Sequence, residues 1–144
     1  MEYFEKSSYK ELVIKNCYNT LEFLLQEGYD FSIATYTNVI EFNPPIPKEI
    51  VEFDESVLFI IANYTKDSSI LTKKEFIFEA GFGEDNFGST LTIPLEAIMQ
   101  IILDEDILHI SYYEPKLKIE KNSMEMLLNN PENQKLLKKK LAKR

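Results

Sequence analysis

The feature that most constrains the fold is the change of hydrophobic period at Gly28. From about Tyr9 to Glu27, apolar side chains recur with the 3.6-residue period of an α-helix, and this helix could begin as early as Phe4. Gly28 is a typical helix end because glycine tolerates a positive φ. After Gly28 the helical period disappears and short runs rich in β-branched and aromatic residues follow. The pattern predicts one helix over about residues 9–27 and a sheet beyond it.

The β-rich runs are separated by residues that favour turns. Pro44, Pro45 and Pro47 predict a stiff extended crossover, because proline cannot donate a hydrogen bond to a sheet. Pro94 is expected at the first turn of a short helix over 95–103, with Ile98, Ile101 and Ile102 on one face. Predicted strands cover 31–36, 57–64, 74–81, 88–93 and 108–113. We therefore expect an α+β fold with a small, mostly antiparallel and partly closed barrel.

The apolar face of the first helix is wider than one domain normally needs. At 100° per residue its apolar positions sweep roughly 240° of the circumference, about twice the usual stripe. This width suggests that the helix packs on its own domain with one side and on a second copy with the other. A helix buried within a single domain is the alternative. The residues predicted at the dimer interface are Val13, Cys17, Thr20, Leu21 and Leu24.

The charge divides the chain into an acidic body and a basic tail. Residues 1–115 carry 21 Asp and Glu against 7 Lys, whereas residues 116–144 carry 9 Lys and Arg against 3 Glu. We expect one domain over 1–115, with its barrel over about 29–115, followed by a basic C-terminal tail over 116–144. An acidic body repels phosphate backbones, so nucleic-acid binding is not expected. The apolar runs are too short to cross a bilayer, no secretory signal is recognisable at the N-terminus, and a lone cysteine fits a reducing cytoplasm.

The sequence offers no catalytic or metal-binding constellation. One histidine, His109, and one cysteine, Cys17, are too few for a zinc site, and each is expected to be structural. The segment 81–88, GFGEDNFG, contains three glycines, but it carries two acidic residues and leads into a strand, so a hairpin is the better interpretation. The acidic triplet 104–106 lacks the spacing of a calcium loop. We expect neither enzymatic activity nor a cofactor.

Five segments in order resemble the stringent starvation protein B (SspB) family of proteolysis adaptors. The segment 78–83, FEAGFG, resembles that family's Phe-x-Ala-x-Phe-Gly strand end, and 92–98, TIPLEAI, resembles its strand-to-helix segment. The segment 113–115, YEP, is similar to the Phe-Glu-Pro that closes the family's barrel. Upstream, 21–25, LEFLL, resembles a leucine-rich first helix, and 57–63, VLFIIAN, resembles a strand of similar pattern.

The resemblance covers about residues 9–115 and implies a fold and a function. The fold would be a partly open Sm-like barrel with a short helix, forming a homodimer through the N-terminal helix. The function would be that of a non-enzymatic adaptor, which binds SsrA-type degradation tags in a groove and delivers tagged proteins to the ClpX ATPase of the ClpXP protease. The residues implied as peptide contacts are Ile60, Ala62, Phe78, Ala80, Gly81 and Phe82. Barrel core is the alternative role for these residues, above all for the two phenylalanines.

The tail differs from the usual family pattern, in which a long acidic linker ends in a docking peptide. Here the segment 136–144, LLKKKLAKR, combines apolar and basic residues. The predicted ClpX-docking residues are Leu136, Leu137, Leu141 and Arg144. Two alternatives stay open: an Sm-like RNA-binding module, and a peptide-binding dimer that serves another partner.

Overall fold

The structure is a computed structural model that describes residues 2–115. Two helices come first and are followed by β-strands with one further short α-helix and one 3-10 helix. The elements are α1 (Glu2–Glu5), α2 (Ser7–Glu27), β1 (Phe31–Tyr36), β2 (Glu41–Asn43), β3 (Ser56–Ile61), α3 (Asn63–Asp67), β4 (Ile70–Leu71), β5 (Glu75–Phe82), β6 (Phe87–Pro94), the 3-10 helix (Leu95–Ala97), β7 (Ile98–Leu103) and β8 (Asp106–Ile110).

The strands form two four-stranded antiparallel sheets. The first sheet has the order β3-β1-β7-β8, and the second has the order β2-β6-β5-β4. The predicted α+β class, the N-terminal helix and the antiparallel pairing are confirmed. No strand of residues 2–115 belongs to both sheets, so these residues do not form a closed barrel.

Helix α2 ends at Gly28, as the sequence predicts. Gly28 has a φ of 74°, and the backbone N–H of Tyr29 donates to the carbonyl oxygen of Leu24 at 3.1 Å. These features are those of a left-handed helix cap, which satisfies carbonyl groups at the helix end. Lys66 of α3 holds the same corner, because its Nζ donates to the carbonyl of Gly28 at 2.9 Å and to Asp30 at 2.6 Å.

The residues predicted for a dimer interface pack instead into their own domain. Cys17, Leu21 and Leu24 belong to the hydrophobic core, and Val13 is buried as well. Thr20 is half-buried, and its hydroxyl donates to the carbonyl of Asn16. A side chain enclosed by its own chain has little surface left for a partner, so the burial of the other four does not support them as interface contacts, and the homodimer stays a prediction. The apolar arc is nevertheless wide, and Leu12 and Phe23 of the same helix are exposed.

The predicted helix over 95–103 is wrong beyond its first turn. Only Leu95–Ala97 is helical, as a 3-10 turn, and Ile98–Leu103 is strand β7. Thr35 pairs with Ile98 and Ala34 pairs with Gln100, which leaves Met99 as an extra residue. This irregularity puts Ile98 and Ile101, three residues apart, on the buried face. A strand with a bulge therefore imitates the spacing of a helix.

The other predicted strands lie where the pattern places them, with shifted ends. The predicted crossover over 44–47 lies between β2 and β3, and the loop GFGEDNFG joins β5 to β6 as a hairpin. Strands β2 and β4 and helix α3 are not among the sequence predictions. Within residues 2–115, no helix has the length and apolar character required to cross a bilayer.

Candidate functional site

A cleft of about 340 Å³ opens on the second sheet, and we call it the β5–β6 cleft. Strands β5 and β6 supply most of its lining, the end of β2 and helix α3 supply two sides, and the β5–β6 turn supplies a third. The lining residues are Asn43, Pro44, Tyr64, Glu79, Ala80, Gly81, Asn86, Gly88, Ser89 and Thr90.

Strand pairing brings the polar lining residues into one row. Thr90 of β6 pairs with Asn43 of β2 on one side and with Glu79 of β5 on the other. Paired residues of neighbouring strands share a face, so these three side chains stand together on the outer face of the sheet. Gly81 pairs with Gly88 two positions further along, on the same face. The absence of a side chain leaves the face above Gly88 open to the cleft, whereas the Asn86 side chain lies over Gly81.

The β5–β6 turn shapes the end of the cleft. Gly83 has a φ of 72° and Asn86 a φ of 54°, and the N–H of Asn86 donates to the carbonyl of Gly83 at 3.2 Å. Glycine and asparagine are the residues that adopt such positive φ values most readily. The turn folds the Asn86 side chain back over Gly81. An amide donor and acceptor is thereby placed at the mouth of the cleft.

Helix α3 supplies the wall formed by Tyr64. The exposed Tyr64 hydroxyl donates a hydrogen bond to the Glu79 carboxylate. This hydrogen bond, together with the negative charge of Glu79, raises the pKa of Tyr64 above its usual value of 10.0. The backbone N–H of Glu79 donates to the Ser68 hydroxyl at 2.9 Å, which connects the end of α3 to β5.

The opposite wall is the end of β2. The peptide bond between Asn43 and Pro44 is cis, and the buried Ser89 hydroxyl donates to the Pro44 carbonyl at 2.8 Å. This hydrogen bond ties the start of the proline-rich crossover to β6. The chain therefore turns away from the sheet at the point where the cleft begins.

Beside the cleft, β5 continues past its shorter neighbour β4. Strand β4 pairs only Ile70 with Ile77 and Leu71 with Phe76. Among residues 2–115, no strand pairs with β5 on this side over Glu79–Phe82. An unpaired strand edge presents backbone donors and acceptors to which an extended peptide can add.

The side chains of the cleft are mostly neutral and polar. They offer two amides, three hydroxyls and one carboxylate, and the lining contains no cysteine, histidine, lysine or arginine. The hydroxyl of Tyr64 is hydrogen-bonded to the Glu79 carboxylate, and the hydroxyl of Ser89 is hydrogen-bonded to the Pro44 carbonyl. Within the described part of the chain, no three His, Cys, Asp or Glu side chains are grouped to hold a metal ion. Neutral amides and hydroxyls suit hydrogen bonding to a peptide backbone.

The six predicted peptide contacts do not lie together in the structure. Ala80 and Gly81 line the cleft, and Ala62 is the residue before α3, two positions from Tyr64. Ile60 lies on the other sheet and is exposed. Phe78 is fully buried, so it has the core role that was the alternative.

Phe82 is half-buried and belongs to an aromatic cluster rather than to the cleft. Its ring packs edge-on against Phe42 and Phe53, and it also contacts Phe59. Such edge-to-face contacts stabilise an apolar cluster. The cluster lies beneath the end of β5 that bears Gly81, and we expect it to keep that end rigid.

The polar residues of the cleft were missed by the sequence analysis. Asn43, Tyr64, Asn86 and Thr90 come from four different elements, and their approach depends on strand order and on α3. The only local signal was the pair of glycines in the hairpin, which sequence analysis assigned to turn geometry. The six predicted peptide contacts were taken from a resemblance between sequence segments, which does not show which side chains of a strand point into the core.

The two residues expected to be structural are both buried. His109 lies on the inner side of β8, where loss of hydration lowers its pKa, and Cys17 lies in the core under α2, where burial raises its pKa. Neither residue lines the β5–β6 cleft. Their positions agree with structural roles.

The predicted docking residues Leu136, Leu137, Leu141 and Arg144 lie outside the described residues.

Comparison of the sequence with models of protein families and with curated proteins found no match. The resemblance to SspB therefore stays a prediction, based on the segments quoted above.

Proposed function

We propose that this protein is a non-enzymatic peptide-binding adaptor of the SspB type, with the β5–β6 cleft as its peptide site. An extended peptide would lie across the cleft and along the free edge of β5. Its backbone would be read by the amides and hydroxyls of the lining. The single observation that carries the proposal is that a polar cleft adjoins Ala80–Phe82, the part of β5 that has no strand partner on this edge and follows the Glu79 N–H bonded to Ser68.

The dimensions and the chemistry of the cleft support a short peptide rather than a large ligand. A volume of about 340 Å³ is at the lower end of ligand pockets, which span about 300–1,000 Å³. The open face above Gly88 leaves room for a peptide to approach β6 closely. Pockets for alternate residues and a ladder of main-chain bonds are the usual means of binding an extended segment.

The proposed ligand is the SsrA-type tag, and the proposed partner is ClpX. These identities come from the resemblance to SspB. Leu136, Leu137, Leu141 and Arg144 would contact ClpX, while the β5–β6 cleft holds the tag. An adaptor of this kind needs no active site, since tethering raises the effective concentration of the substrate to about the millimolar range. A homodimer would present two such clefts, although the buried residues of α2 have little surface left for its contacts.

The direct test is fluorescence anisotropy of a labelled SsrA-type peptide titrated with the full chain, beside a scrambled peptide. Two variants form a matched pair, Thr90→Tyr and Thr92→Tyr. Both threonines are half-buried on the same face of β6, but only Thr90 lines the cleft. A tyrosine is tolerated on a strand face, so both variants are expected to fold.

The proposal expects saturable binding of the tag that the scramble and Thr90→Tyr weaken at least tenfold and Thr92→Tyr leaves unchanged. Equal binding of tag and scramble would refute tag recognition. Equal effects of the two variants would refute the location of the site. Delivery is tested separately by removing residues 132–144, which should abolish ClpXP degradation of a tagged substrate and spare tag binding.

A further inference from the structure

The outer face of the first sheet carries six apolar residues among the eight of two complete rows of paired residues. One row runs Ile60, Ser32, Ile102 and Ile107, and the next runs Leu58, Ala34, Gln100 and Ile110. Directly paired residues share a face. We call these eight residues the apolar sheet face.

This face is exposed among residues 2–115. The exposed fraction is 70% for Ile60, 56% for Leu58 and 54% for Ile107, and none of the eight residues is charged. Antiparallel sheets that face water normally carry polar side chains on that side. The outer face of the second sheet follows that rule at Asn43, Thr90 and Glu79. The contrast indicates that the apolar sheet face is covered by another segment or molecule.

Acidic residues lie at both ends of the apolar sheet face. Asp104 and Glu105 form the turn between β7 and β8, and Asp106 is the first residue of β8, next to the row of Ile60 and Ile107. At the opposite end, Glu55 precedes β3, and Glu114 lies near Tyr36. Burial raises the pKa of the Tyr36 hydroxyl most, and the negative charges of Glu114 and Glu55 raise it further. An apolar centre with an acidic rim suits an apolar partner that carries basic residues.

The chain reaches one end of this face at its last described residue. After β8 the N–H of Ser111 donates to the carbonyl of Met99 at 2.8 Å. Pro115 and Glu114 then line a depression of about 220 Å³ together with Tyr36 and Glu55. Tyr36 pairs with Ser56 in the row beyond Leu58. Pro115, the last described residue, therefore lies beside the end of the apolar sheet face.

Residues 116–144 have the composition that this face requires. They carry nine Lys and Arg against three Glu, and they include Leu117, Ile119, Met124, Met126 and several further leucines. The rest of the chain carries 21 acidic residues against 7 lysines. Strands of five or six residues are about 20 Å long, and an extended chain covers about 3.3 Å per residue, so a few tail residues suffice to cross the face.

We propose that the apolar sheet face is the docking surface for residues 116–144 of the same chain. The apolar tail side chains would cover Leu58, Ile60, Ile107 and Ile110, and the tail lysines would face the acidic rim. Weak contacts are sufficient, because the covalent connection at Pro115 keeps the segment at a high effective concentration. The inference does not depend on the β5–β6 cleft. It implies that any partner of the tail competes with the sheet.

The test uses the full chain with a nitroxide attached at Gln134→Cys and with ¹³C-labelled isoleucine methyl groups. The parent protein, whose one cysteine is buried, is the labelling control. Spin-label broadening is expected at the methyls of Ile60, Ile102, Ile107 and Ile110. It should be weak at Ile70 and Ile77, which lie on the other sheet. The signals should return in about 1 M salt, where the screening length is about 3 Å.

Two variants distinguish docking on this face from chance proximity. Ile60→Glu should remove most of the broadening at Ile107 and Ile110, and Ile70→Glu should leave it unchanged. Both isoleucines are exposed on edge strands, so the pair is matched for stability. Equal broadening on both sheets, or none, would overturn the proposal. Broadening of equal size between isotope-labelled and separately spin-labelled molecules would also overturn it, since the tail of a second copy would then cover the face.

Discussion

The side chain of Asn86 occupies the space in which a Cβ atom of Gly81 would lie. A Cβ built on Gly81 would be 1.7 Å from Oδ1 of Asn86, whereas one built on its pairing partner Gly88 would meet nothing within 4 Å. The Asn86 side chain can therefore occupy this place only because residue 81 has no Cβ atom. A Cβ atom at residue 88 would displace no other side chain.

This asymmetry predicts different outcomes for the two alanine variants. Gly81→Ala should displace the Asn86 side chain from the mouth of the cleft and weaken peptide binding severalfold, with a small loss of stability because that side chain can rotate. Gly88→Ala leaves the Asn86 side chain in place, so it should weaken binding less than Gly81→Ala, and it should gain up to about 1 kcal/mol of stability from a less flexible unfolded chain. Anisotropy titrations and urea unfolding of both variants check this. Equal affinities for the two variants would contradict the proposed role of Asn86.

The burial of α2 predicts a large difference between two of its leucines. Leu21 is fully buried and Leu12 is exposed. Leu21→Ala should lower the free energy of unfolding by about 3 kcal/mol, the usual cost of a cavity, and Leu12→Ala by less than about 0.5 kcal/mol. Chemical denaturation at two protein concentrations measures both values. A dimer that Leu21→Ala dissociates without loss of subunit stability would contradict the core assignment.

The sequence was most informative where a pattern is local. Gly28 ends α2 and the 81–88 loop forms a hairpin, because both depend on the conformational freedom of residues within a few positions. The strand β7 was missed because one extra residue at Met99 sets Ile98 and Ile101 at helical spacing. A bulge depends on the partner strand β1, so it has no signature within 98–103 itself.

Neither the residues of the cleft nor the partner of α2 could be predicted from the sequence, because both depend on contacts between elements that are distant along the chain. The width of an apolar arc shows how much of a helix is buried but does not show which molecule covers it. In the structure the two sheets cover Cys17 and Leu21, and Leu12 and Phe23 stay exposed. Tyr64 meets Glu79 only because α3 follows β3 and lies beside the free edge of β5, a relation between elements that periodicity does not encode.

The single cysteine provides a probe of this core. Burial, with a smaller contribution from the negative charge of Glu96, raises the pKa of the Cys17 thiol far above its usual value. A protonated and enclosed thiol is a poor nucleophile. The native protein should therefore not react with Ellman's reagent over minutes at pH 8, whereas denaturant should release one thiol per chain.

A cysteine introduced at an exposed position of the same helix shows that the reagent reacts with accessible thiols. Ser8→Cys should react at once with one equivalent and leave Cys17 intact, because Ser8 is exposed on the first turn of α2. Reaction of native Cys17 at a rate comparable to that of the introduced cysteine would show that the core under α2 opens or is not packed as described.

The only histidine predicts how stability depends on pH. His109 is buried on the inner side of β8, its Nε2 atom has no hydrogen-bond partner among residues 2–115, and loss of hydration lowers its pKa below 6.5. The unfolded chain, with a histidine pKa of about 6.5, then binds a proton more readily than the folded chain. As the pH falls through 6.5, protonation favours unfolding, so the free energy of unfolding decreases until the folded pKa is reached. Above about pH 7.5 the histidine contributes no pH dependence.

Urea denaturation between pH 5.5 and 8 should show this decrease in the parent, and His109→Gln, which cannot be protonated, should remove it. An unchanged slope in His109→Gln would assign the effect to the carboxylates, and a rise in stability toward pH 5.5 in the parent would contradict a buried neutral imidazole.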